Sequence, residues 1–161
     1  MKTRKLFLLA FVIFILHSTL FQFLRIYGIM PNISLIFIVV FSAIFPEKEG
    51  LILAVMLGAF QDIFLSMTLG INLLIYVPIA FVIHALEDSL FKDNFLTPVA
   101  FLGVSTIFYY LAYFSFMYFL DGNVVFKPYL IVGFKEMVYN IAVGVFVYSK
   151  FLKREYGFSL R

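Results

Sequence analysis

GLILAVMLGAFQDIFLSMTLGINLLIY (residues 50–76) holds two apolar runs separated by Ser66, Met67 and Thr68. Each run is continuous rather than alternating, and too long for a strand of a membrane barrel, so both read as helices. In the first run Gly50, Ala54, Gly58 and Asp62 recur every four residues, which aligns three small side chains and a carboxylate on one helical face. A second backbone can approach closely along such a face. Asp62 has two readings: it caps or pairs within the chain, or it shapes the following turn into a docking feature for a partner.

Outward from this pair the pattern repeats. Apolar runs lie at about 6–24, 30–45, 50–65, 69–86, 97–120 and 128–152, and each is read as one membrane-crossing helix. The expected fold is therefore all-α and polytopic, a single integral-membrane domain over residues 1–161 with six transmembrane helices. Of the 161 residues, 64% are apolar and 13% charged, and the mean hydropathy is +1.07. Six crossings of about 20 residues leave only loops and tails, so no soluble domain fits. This composition excludes an ordinary cytosolic enzyme and a nucleic-acid-binding module; the lack of Cys excludes a disulfide scaffold.

Charge gives the orientation. With the amino terminus inside, the cytoplasmic segments carry Lys2, Arg4, Lys5, Lys48, Lys92, Lys150, Lys153, Arg154 and Arg161, against Arg25 and Lys127 outside. Both termini are then expected in the cytoplasm, with Pro46, Glu47, Lys48 and Glu49 as a hydrated turn. The segment from Glu87 to Asn94 is expected to be the longest cytoplasmic loop. Tyr27, Tyr129, Tyr148 and Tyr156 fall where interfacial rings anchor helices. The basic start before the first run resembles a signal peptide, but no small-residue cleavage site follows, so a retained helix is expected.

Polar residues inside apolar runs are expensive and therefore informative. In the sixth run Gly133, Glu136, Asn140 and Gly144 share a face that should point into protein, while Lys135 sits about 100° away and snorkels. Pairing of Glu136 with another helix is preferred to an ion pathway, since few membrane-embedded acids and bases are available. His17, Ser18 and Gln22 are expected to hydrogen-bond within the bundle, and one His does not make a zinc site. His84 is read as structural. No nucleophile–base constellation or phosphate-binding loop is recognisable, so no catalytic, cofactor or metal site is expected.

Four features together resemble the rod-shape-determining MreD family of bacterial cell-wall elongation. They are Pro31-Asn32 opening the second run, Gly50 after the charged turn, Gly58-x3-Asp62, and Leu69-Gly70-Ile71-Asn72-x3-Tyr76. The resemblance implies a non-enzymatic scaffold in the inner membrane whose partner is the single-span protein MreC. Through MreC it would couple the MreB cytoskeleton to the peptidoglycan glycosyltransferase and transpeptidase. It also implies a fold similar to the substrate-binding subunits of energy-coupling-factor vitamin transporters, and such a subunit is the alternative reading. Those subunits carry Ala-x3-Ala on the first helix, whereas here Ala10 is followed by Phe14. Structural or partner-binding candidates are Pro31, Asn32, Gly50, Ala54, Gly58, Asp62, Leu69, Gly70, Asn72, Tyr76, Glu136 and Asn140.

Overall fold

A computed structural model describes residues 3–20, 23, 25, 28–66, 68–87 and 96–156, apart from the side chains of 20 and 152–156. Gln22, Tyr27, the 88–94 loop and the Tyr156 ring lie outside the described residues. The six apolar runs fold as six α-helices: α1 (Thr3–Ile15), α2 (Ile33–Ile44), α3 (Glu47–Phe64), α4 (Ile71–Glu87), α5 (Leu96–Asp121) and α6 (Phe126–Tyr156). A π-helical turn, Leu16–Leu20, continues α1. There Ser18 and Thr19 donate their hydroxyl protons back to the Ile15 carbonyl at 3.2 and 2.6 Å, a local competition that loosens a helix ladder.

The core is organised around α2, which touches every other helix. All its residues are buried except the half-buried Phe37, as expected of a helix that is apolar all round. Its 12 residues are about 18 Å long. α3 packs on α2 and α4, α1 lies along α3, and α5 and α6 form an antiparallel hairpin against α2. Among the described residues, α5 and the Phe126–Phe151 part of α6 are long and apolar enough to cross a membrane. Both leave large apolar side chains such as Val104, Phe119 and Val138 exposed.

Glycines set the close approaches. A Cβ on Gly58 would lie 2.7 Å from the Leu73 Cα, and one on Gly50 would lie 2.6 Å from the Ser42 Oγ. The small-residue face of α3 is thus filled by α2 and α4 of the same chain, with Ala54 fully buried between them. Gly133 and Gly144 on α6 likewise admit Tyr110 and Leu102 of α5. Aromatic side chains fill the remaining space: Phe60 packs against Phe7, Phe11 and Phe14 of α1, and Phe151 of α6 against Phe37, Phe41 and Phe45.

Two expectations are corrected. The hydrated turn at 46–49 shrinks, because Glu47, Lys48 and Glu49 form the first turn of α3 and Pro46 is its N-cap. Acidic residues are favoured there by the positive end of the helix dipole, and Pro is well suited to a helix start. Tyr148 is not an interfacial anchor but a core residue, 2% exposed. Tyr129 lies near the α5–α6 turn, against Tyr113 and Phe114.

A buried polar network as the candidate functional site

An apolar bundle hides polar groups only when they satisfy one another. Here they form two hydrogen-bonded groups across α2 to α6, which meet where the Tyr76 and Tyr109 rings stack. Asn32 caps α2: its Oδ1 accepts the Leu35 N–H at 3.1 Å, and its own backbone N–H donates to the Asn140 Oδ1 of α6 at 2.8 Å. The Asn32 amide donates to the Tyr76 hydroxyl at 3.2 Å. Tyr76 in turn donates to the Gln61 Oε1 at 2.8 Å, and Gln61 donates to the Ser34 Oγ at 2.8 Å. Tyr76 and Asn140 are completely buried.

Asp62 supplies the second part. Its Oδ1 accepts the Asn72 backbone N–H at 3.0 Å and the Asn72 side-chain amide at 2.9 Å, and its Oδ2 accepts the Leu73 N–H at 3.0 Å. The two backbone N–H groups, of Asn72 and Leu73, belong to the first turn of α4, where no intrahelical acceptor is available. A carboxylate from the preceding helix therefore caps α4, with charge assistance. Asn72 also donates to Ser66 at 2.9 Å and accepts from the Tyr109 hydroxyl of α5 at 2.8 Å. Gly70, at φ +93°, makes the sharp return from the turn into α4 without a Cβ penalty.

The third part ties α5 to α6. Glu136 accepts a short hydrogen bond from the Tyr110 hydroxyl, and the Asn140 amide donates to the Thr106 Oγ1 at 3.1 Å. The Gly133, Glu136, Asn140, Gly144 face is buried, whereas Lys135 is exposed. Tyr110→Phe would leave Glu136 without its strongest partner. We expect a stability loss of about 1–2 kcal/mol, read as a lowered thermal midpoint in detergent.

Of the residues singled out from sequence, Asn32, Asp62, Asn72, Tyr76, Glu136 and Asn140 meet in this network. Gly50, Ala54 and Gly58 form the adjoining seam, Gly70 the turn, and Pro31 is buried just before the α2 cap. Leu69 stands apart, 77% exposed. Ser34, Gln61, Thr106, Tyr109 and Tyr110 were not anticipated; only the position of Gln61 beside Asp62 marks one of them in the sequence. His17 joins no hydrogen bond through its buried Nδ1, and neither does His84. Among the described residues no cluster of three or more His, Cys, Asp or Glu could hold a metal ion.

A family model described as rod shape-determining protein MreD matches residues 2–154. No curated protein and no solved structure matches the chain.

Proposed function

The chain belongs to the rod shape-determining MreD family, and from that premise we propose that it works by assembly: a multi-pass inner-membrane scaffold that holds the single-span protein MreC. Through MreC it connects the MreB cytoskeleton to the glycosyltransferase and transpeptidase that build peptidoglycan. The observation that carries this reading is the family match over nearly the whole chain. The polar network supports it, because Asp62, Tyr76, Glu136 and Asn140 spend their hydrogen-bonding capacity on joining helices.

In this reading all six helices cross the bilayer with both termini in the cytoplasm. α2 is short for a crossing, about 18 Å, so the non-helical residues 28–32 before it have to cover the rest of the hydrocarbon core. Irregular backbone is tolerated at that depth where it is enclosed by protein. Asn140 meets that need by accepting the Asn32 N–H.

Two measurements test the proposal. Affinity capture of the tagged chain in mild detergent is expected to retain a single-span protein with a periplasmic coiled coil; a purified chain that instead recruits an ATPase pair supports the vitamin-transporter alternative. The chain lacks Cys, so single replacements report topology cleanly. Asn123→Cys should react with an impermeant maleimide in spheroplasts, and Lys48→Cys only after permeabilisation.

A further inference from the structure

Where the π turn after α1 meets the end of α3, the start of α4 and the middle of α5, a cavity of about 220 Å³ opens. We propose that this cavity binds a small, uncharged molecule whose hydrogen-bonding group meets His17, within walls formed by Gln61, Asn72, Tyr109 and Tyr113.

Several observations carry this. His17 lines the cavity, is only 7% exposed, and its Nδ1 has no hydrogen-bond partner. A buried polar atom left unpaired is costly, and Nδ1 of a neutral imidazole either donates or accepts, so it takes a ligand group of the complementary kind. The rest of the polar wall is held in place: Gln61 by Ser34 and Tyr76, Asn72 by Asp62 and Ser66, Tyr109 by Asn72. Such prior fixing lowers the ordering loss on binding.

The lining also selects the ligand's character. Among the described residues, the cavity is bounded by His17, Gln61, Asn72, Tyr109 and Tyr113 with apolar and hydroxyl neighbours, and by no Asp, Glu, Lys or Arg. Asp62 lies behind Asn72 with both oxygens occupied. A charged guest would be buried without a counter-ion, which is strongly unfavourable. Tyr109 stacks with both Tyr76 and Tyr113, with ring centroids 5.6 and 5.8 Å away, which fixes the aromatic side of the cavity. The volume accommodates several waters, and therefore a single heterocyclic ring with one substituent.

The test uses the full chain in detergent with ¹⁵N-labelled histidine and nicotinamide as the probe, a neutral planar amide. The sequence has only two histidines, so the His17 and His84 signals are told apart with one variant. The expected result is a saturable shift of the His17 ring nitrogens, with a Kd on the order of 1 mM for so small a probe, and no shift at His84. Nicotinate, of the same shape but charged, should bind at least about tenfold more weakly, a difference of roughly 1.4 kcal/mol. His17→Leu should lose saturable binding yet still retain the single-span partner. A wild-type chain whose His17 signals do not respond saturably overturns the proposal, whether or not the variant folds. Equal binding of nicotinate, or undiminished binding by His17→Leu, overturns it too.

Discussion

Gly58→Leu should prevent the bundle from closing. Even the Cβ of an alanine would lie 2.7 Å from the Leu73 Cα and 3.0 Å from its backbone nitrogen. Backbone atoms of a neighbouring helix cannot rotate away as a side chain does, so relief requires α3 and α4 to separate. Separation strains the adjacent Asp62 cap and the Tyr76–Gln61 bond, which bridge the same two helices. We expect Gly58→Ala to lose about 2–3 kcal/mol and Gly58→Leu more than about 4, a large share of an ordinary folding free energy. Gly103→Ala is the control: its Cβ would meet Ile141 and Met137 at ordinary distances of 3.8 and 3.9 Å, and the helix gains propensity. Thermal midpoints and gel-filtration profiles in detergent separate the two outcomes. A Gly58→Ala midpoint equal to wild type would mean that the α3–α4 approach is looser than described. Because the seam is filled from within the chain, partner loss in Gly58→Leu would report helix separation.

Asp62→Ala should have the next largest effect. Three donors lose their acceptor at once, two of them backbone N–H groups at the start of α4. Hydrogen bonds to a charged group contribute about 1.5–3 kcal/mol each, but shared geometry makes them less than additive, so a total near 3 kcal/mol is expected. Asn72 then also loses the anchor that presents its carbonyl to Tyr109. Asp62→Asn keeps one carbonyl oxygen but turns an amide toward N–H groups, and should fall between wild type and alanine. In a strain that depends on the protein for rod shape, Asp62→Ala cells should round up more than Asp62→Asn cells. Wild-type thermal midpoints in both variants would show that water or another group caps α4.

The helices were legible because continuous apolar runs leave little choice of structure, and their ends were less so. Glu47, Lys48 and Glu49 look like a turn when counted as charges, yet they are a favourable first turn when placed at a helix N-terminus. Part of the polar network was legible for the reason that makes it costly: Asp62, Glu136 and Asn140 stand out against apolar neighbours. Their partners did not. Ser34 and Thr106 are unremarkable in an apolar helix, and Tyr109 and Tyr110 sit in a stretch dense with rings. Which ring meets which amide depends on helix packing at separations such as the 44 residues between Asn32 and Tyr76. No local period encodes that. Tyr148 shows the same limit, since proximity to a run's end suggested an interface while packing placed it inside.

The Asn32–Asn140 bond joins groups 108 positions apart. At typical ribosomal speeds the second partner is made about 5–20 s after the first. Throughout that interval the earlier helices lack this contact, so the bundle is latched only once α6 has been made.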